Sequence, residues 1–357
     1  MKRLLRHASQ VLPALLTVGL AAFVLRSADL ERSLDLVRSL GWRLPLLLLP
    51  NLAVSLLESS GWWRSFGLLG GRPRFRPLLR VRIAIEAVML GLPSGAVISE
   101  SLQPVLLKRR CGVPFETGVV ASVGRKFFVV VSHGIVLAIA TLVTWPQLVE
   151  ASRATIGRAG LPWLLLAVSA FMIGTFGVAV ALGARAQVAG RMHLGLERFF
   201  GRWLGAWLER NALRFQKADE HLVGFFWRDP KTLVLPMLLY CAGWLVRALE
   251  TVVYLKLLGI DISFATATVV ESSIILVRSM AVPIPAGLGV QDVAYVLTFQ
   301  ALGVPDATTV GTAFLVLKRS KDLFWILVGF ALLALGGDRA RVEPVEPAEP
   351  AVTQAAS

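Results

Sequence analysis

Four ionisable side chains stand in stretches that are otherwise apolar: Glu86, Glu271, Arg278 and Asp292. A charge at the centre of a membrane helix costs at least about 2.5 to 3.5 kcal/mol on insertion scales, so such residues mark a function by default. Glu271 and Arg278 are two helical turns apart and share a helix face. A guanidinium in that setting can receive an anionic group, while the carboxylates hold it in place or exchange protons. In that reading Glu86 meets Arg278 across the pseudo-twofold axis; the competing reading is a static ion pair that only locks helix packing. Glu58, Glu100 and Glu250 stand nearer the expected ends of their segments. Arg125, Lys126, Lys318, Arg319, Lys321 and Asp322 fall on long apolar segments, where the basic ones either support a binding site or snorkel to the interface.

The charges sit beside interruptions in the apolar pattern. From Ile274 to Tyr295 the chain passes Arg278, breaks at Pro283 and Pro285, crosses Gly287 and Gly289, and reaches Gln291 and Asp292. A broken helix in hydrocarbon survives only where protein or a water-filled cavity satisfies its backbone. An earlier stretch, Glu86 to Pro114, repeats the pattern. In one ungapped register of 192 residues, Pro93 falls on Pro285, Gly95 on Gly287, Glu100 on Asp292, Glu58 on Glu250 and Gly67 on Gly259. Glu86 falls on Arg278, so opposite charges occupy equivalent positions. Shared rare residues in one frame indicate an internal repeat.

The elements that position these residues must be membrane helices. Hydrophobic residues make up 55% of the chain and charged residues 17%, with a mean hydropathy of +0.68, which excludes an ordinary soluble domain. Segments long enough to cross about 30 Å of hydrocarbon are expected near Val11–Leu25, Leu44–Trp63, Thr117–Trp145, Leu161–Leu182, Thr232–Leu258 and Thr308–Leu335, with broken stretches near 80–105 and 264–302. The formal charge of +14 gathers in short loops beside apolar spans, a pattern of membrane orientation and lipid headgroups rather than of nucleic acid. The arginines from Arg64 to Arg82 and in the linker 185–231 place both segments in the cytoplasm. Both termini are then cytoplasmic, and the protein is expected in the cell's inner membrane.

If each broken stretch enters and leaves on one side, each half has three full crossings and the second half is inverted. The expected fold is therefore an all-α polytopic membrane protein with an inverted repeat, built of six full spans and two Pro/Gly-broken re-entrant hairpins. Eight full spans give the same termini and stay open. Residues 1–337 form the membrane domain, with repeat halves of about 1–150 and 160–337. Within the linker, Leu196, Phe200, Trp203 and Trp207 share one helical face, which suits an interfacial helix. The Glu/Pro/Ala-rich tail 338–357 has too little apolar surface to build a core. Broken helices meeting within inverted repeats are the familiar place where transporters hold substrate.

Residues for covalent chemistry are scarce. His7, His133, His193 and His221 are scattered, Cys111 and Cys241 have no metal-ligand spacing, and neither a P-loop nor a nucleophile elbow is present. No cofactor and no metal are expected. An intramembrane enzyme using Glu100 and Asp292 as acid and base lacks a nucleophile.

Three stretches carry a resemblance: Arg80–Pro114, Val270–Tyr295 and Leu317–Trp325. They are similar to the lysylphosphatidylglycerol synthase transmembrane-region family, also called flippase-like, and within it to hopanoid-biosynthesis-associated membrane proteins. The second motif is the more specific, through Glu271, Arg278, Pro285, Gly287, Gly289, Gln291 and Asp292. The first departs from the family pattern: Ile98 and Ser99 stand where a Gly-Gly pair is usual, and Arg125 and Lys126 where an Asp-Arg pair is usual. The resemblance implies a lipid translocase that moves an anionic phospholipid or a hopanoid-type lipid between leaflets without ATP. The synthase's soluble aminoacyl-transferase domain is not expected in this chain. A membrane scaffold for lipid-biosynthesis proteins and an intramembrane lipid-transfer enzyme are the alternatives. The substrate-binding candidates are Glu86, Glu100, Glu271, Arg278, Gln291 and Asp292, with Arg125, Lys126, Lys318 and Arg319 in support.

Overall fold

In a computed structural model, residues 30–183, 230–280, 284, 287–335 and 343–344 are described. The described chain is α-helical: α1 (Leu30–Arg38), a 3-10 turn (Gly41–Leu48), α2 (Leu49–Ser65), α3 (Phe75–Gly91), α4 (Gly95–Cys111), α5 (Phe115–Val143), α6 (Trp145–Ile156), α7 (Leu161–Gly183), α8 (Val234–Leu257), α9 (Phe264–Met280), α10 (Val290–Ala301) and α11 (Ala307–Ala334). The expected segment Val11–Leu25, nearly all of the linker 185–231 with its face of Leu196, Phe200, Trp203 and Trp207, and Pro283 and Pro285 lie outside the described residues. So does the tail 338–357 apart from Glu343–Pro344, which pairs antiparallel with Gly71–Arg72.

Among the described residues, three segments are long and apolar enough to cross a membrane: Gly41–Leu69, Phe115–Val143 and Lys231–Leu257. The 28-residue α11 has comparable length but carries Lys318, Arg319, Lys321 and Asp322 near its middle. Phe171, Leu238, Leu297 and Leu327 are exposed on the outer surface. In lipid such side chains lose nothing by facing outward, so close van der Waals packing, rather than apolar burial, must hold the helices together. At Gly329 a side chain would meet Ala87 Cβ at 2.3 Å; the missing side chain lets α11 lie against α3. The Arg110 guanidinium donates to the Leu332 and Leu333 carbonyls at 2.6 and 2.7 Å, which satisfies acceptors at the end of α11 that the helix itself leaves open.

The helix pairing follows the sequence repeat. In the register of 192 residues, α2 is equivalent to α8, α3 to α9, and α5 to α11, the last two starting at Phe115 and Ala307. In space α2 packs on α8, α3 on α11, and α9 on α5. The last two contacts are the same contact with the halves exchanged, as a twofold relation requires. Glu58 of α2 lies beside Gly243 and Arg247 of α8, and Gly61, a turn further on, lies beside Tyr240 and Pro236. The two equivalent helices therefore run antiparallel, and the halves are inverted.

Both breaks are built of backbone that ordinary residues adopt with difficulty. In the first, Leu92 is extended, Ser94 is left-handed with φ of 54°, and α4 begins at once. A Cβ on Gly95 would lie 2.4 Å from the Val88 carbonyl oxygen, so the turn closes tightly only with glycine there. In the second, Gly287 and Gly289 have φ of +63° and +79°, and α10 opens at Val290.

Candidate functional site

Two charge networks are buried in the helix bundle. In the first, Arg82 of α3 donates through Nη2 to Glu58 Oε2 at 2.5 Å and through Nη1 to Glu86 Oε2 at 3.0 Å. Arg247, reaching across from α8, donates to Glu58 Oε1 at 3.1 Å and stands 3.8 Å from Glu86 Oε1. Two guanidinium groups thus face two carboxylates, and the cluster is neutral. Arg82 and Glu86 are one turn apart on α3, which sets both on one face; Glu58 and Arg247 come from the antiparallel pair α2 and α8.

The second network joins α8, α9, α10 and α11. Lys318 Nζ reaches both oxygens of Glu271 at 2.7 Å and the Tyr295 hydroxyl at 2.9 Å. Tyr295 and Thr251 donate to Glu271 Oε2 at 2.7 and 2.8 Å. Lys321 pairs with Glu250 at 2.7 Å, and Lys318 lies 3.8 Å from the same carboxylate. Charge-assisted bonds of this geometry offset the cost of taking ions out of water, and losing one partner leaves the other stranded.

The acid that follows each break is held by a base on the next long helix. Glu100 stands 3.0 Å from Lys126 and 3.4 Å from Arg125 of α5. Asp292 accepts the Gly289 N–H at 3.0 Å, capping the start of α10, and is paired with Arg319 of α11. Asp322 lies 3.7 Å from Arg319.

Arg278 differs from all of these. Among the described residues, no carboxylate lies within ion-pair distance of it and no hydrogen bond is made to its guanidinium. Its stem runs beneath the second break: a side chain at Gly287 would meet Arg278 Cγ at 2.7 Å. The geometry leaves a half-buried cation at the junction of two half-helices with its donors uncommitted. Among the described residues, no group of three or more His, Cys, Asp or Glu side chains is placed to hold a metal ion.

Residues 10–333 match the family model of the lysylphosphatidylglycerol synthase transmembrane region. The chain belongs to that family. It is therefore a multi-pass membrane protein of a family concerned with lipid. No curated protein and no solved structure matches it significantly.

For this family member, the structure corrects several expectations about individual side chains. Glu86 does not meet Arg278; it is taken by Arg82 and Arg247. Arg82, counted with the cytoplasmic loop arginines, is a buried helical residue. Glu58 and Glu250 lie within α2 and α8 and are buried, not near helix ends. Lys318 and Lys321 do not snorkel, because each finds a carboxylate inside the bundle. Glu271 and Gln291 are buried beside Tyr295, while Glu100, Arg125 and Lys126 form a separate pair site on α4 and α5. Sequence reasoning missed Arg247, Tyr295 and Thr251. An arginine inside the apolar run of α8 was a signal for the first; a tyrosine and a threonine on apolar helices carry none.

Proposed function

We propose that the protein moves an anionic lipid between membrane leaflets and that Arg278 receives the headgroup. The observation that carries this reading is a half-buried guanidinium on α9 that forms no ion pair among the described residues, set at a glycine break where two half-helices meet. A phosphate supplies the oxygens that such a fork lacks. The inverted pairing of α2 with α8 supports the reading, since two related halves can rock about a shared centre and open it to either face. Membership in a family concerned with lipid supports the cargo class. The uncommitted cation favours a phospholipid or a conjugated hopanoid over a neutral triterpenoid. Without an ATP site in this proposal, movement is downhill or ion-coupled, in the inner membrane, with both termini in the cytoplasm.

The test is leaflet-resolved movement of labelled lipid in vesicles carrying the purified chain. Wild type is expected to move phosphatidylglycerol, and Arg278→Gln to slow it by about tenfold to a hundredfold, the worth of a charged hydrogen bond. Equal rates in the two proteins would remove Arg278 from the mechanism. No movement by folded wild type would remove translocation itself.

A further inference from the structure

The ion pairs of the second half join into one unbroken chain. Glu271 is bound to Lys318 at 2.7 Å, and Lys318 lies 3.8 Å from Glu250. Glu250 holds Lys321 at 2.7 Å, and Lys321 lies 3.4 Å from Asp322. Asp322 lies 3.7 Å from Arg319, which is paired with Asp292 at the second break. Acids and bases alternate along this chain, and both of its ends are acids. With every group ionised, four carboxylates meet three bases, and one negative charge is left over. The first network, with two guanidinium groups and two carboxylates, has no such surplus.

The surplus falls on Asp322. Glu271 accepts from Lys318, Tyr295 and Thr251, Glu250 accepts from Lys321, and Asp292 accepts from the Gly289 N–H and from Arg319. Asp322 is the more distant partner of both its bases and, among the described residues, accepts no hydrogen bond. Its side chain is 18% exposed, against 4% for Glu250, 9% for Glu271 and 14% for Asp292, so it is also the acid of the four that water reaches most easily. The charges around it are Arg319 and Lys321 of its own helix, with Asp292 of α10, Glu250 of α8 and Glu271 of α9 reached through the bases of α11. Tyr254 of α8 and Arg278 of α9 act on its charge without an ion pair or hydrogen bond to it. Arg82 and Glu86 of α3 are closed on each other, and Arg32 of α1 meets Asp306 at the start of α11.

We propose that Asp322 is a proton-binding residue and that its proton accompanies an anionic lipid through the protein. The inference rests on the lipid-translocation reading and deepens it, by choosing ion-coupled over downhill movement and naming the ion. A net charge inside a membrane bundle carries a cost that a proton removes. The carboxylate gains an O–H bond, its charge goes from minus one to zero, and the chain of ion pairs becomes neutral. Release of the proton to water on the other face restores the charge. A proton suits the site better than a metal cation, which takes several oxygen ligands at once, because among the described residues no group of three or more His, Cys, Asp or Glu side chains is placed to hold one. With one proton beside each singly charged headgroup, no net charge crosses the membrane.

The test uses phosphatidylcholine vesicles that carry the full chain and a trace of labelled phosphatidylglycerol, and reads the leaflet ratio of the label under a pH gradient. At one proton per lipid, a gradient of about one pH unit is expected to shift the wild-type ratio by about tenfold beyond that of empty vesicles. Asp322→Asn has the shape of the protonated acid and no proton to release, and is expected to lose that shift; Asp322→Ser takes its place should it fail to fold. Asp322→Glu is expected to keep the shift. Should the neutral variants stop all movement, Asp322→Glu decides: recovered movement with its gradient response upholds the assignment, and no recovery overturns it. A wild type that moves the lipid without responding to the pH gradient, or that responds to a sodium gradient instead, overturns proton coupling and leaves translocation standing. A full response in a folded neutral variant overturns the assignment to Asp322. No lipid movement by folded wild type overturns the translocation reading and this inference with it.

Discussion

Positions 86 and 278 are equivalent in the repeat, and the protein treats them in opposite ways. Glu86 is enclosed by Arg82 and Arg247, in a neutral cluster of two guanidinium groups and two carboxylates. Arg278 faces the other break without an ion pair among the described residues, and Asp322, the acid that attracts it most, is engaged by Arg319 and Lys321. One half has used its intramembrane charge to join α2, α3 and α8. The other has left its charge available. Breaking a buried pair strands an ion, whereas removing a charge without a partner strands nothing. Stability and transport should therefore separate between the two sites.

The largest effect is expected from Arg82→Met. It leaves Glu58 and Glu86 facing each other with only Arg247 between them, at a cost of about 3 to 5 kcal/mol. Thermal unfolding in detergent reads it; a midpoint near that of wild type would break the contrast. Gly287→Ala comes next, at about 1 to 3 kcal/mol. It adds a side chain at positive φ against the Arg278 stem, so transport should fall with stability. Asp292→Asn keeps an oxygen for the Gly289 N–H but loses the pairing charge for Arg319; about 1 to 2 kcal/mol is expected by the same melt. Arg278→Gln closes the series, with a stability change below about 1 kcal/mol, in the variant whose transport should suffer most. A large loss of stability there would mean that Arg278 locks helices as Arg82 does.

The repeat was legible because it is written in residues that a twofold relation must duplicate: Glu58 and Glu250, Glu100 and Asp292, Gly95 and Gly287. Their spacing announced that α2 and α8 are equivalent before any contact was known; that the two also pack on each other was not announced. The ion pairing was not legible. Glu58 and Arg247 are 189 residues apart, and the register aligns Arg247 with a serine, Ser55, so symmetry offers no hint of the bond. Arg82 was hidden by company, since five more arginines and no acid precede it from Arg64 onward. Its acid, Glu86, follows one turn later, and a loop count stops short of it. Equal and opposite charges at 86 and 278 suggested a pair across the axis, but equivalence in a repeat does not imply proximity. Each residue pairs with whatever its own helix neighbours supply, and for Arg278 they supply none.

The most direct measurement is a structure of the full chain in nanodiscs of phosphatidylglycerol, with the lipid phosphate located. The phosphate is expected within hydrogen-bond distance of the Arg278 guanidinium, with the Glu58, Arg82, Glu86 and Arg247 cluster closed and free of lipid. A phosphate bound to Arg82 or Arg247, with Arg278 paired to a carboxylate, would contradict the division between the two sites.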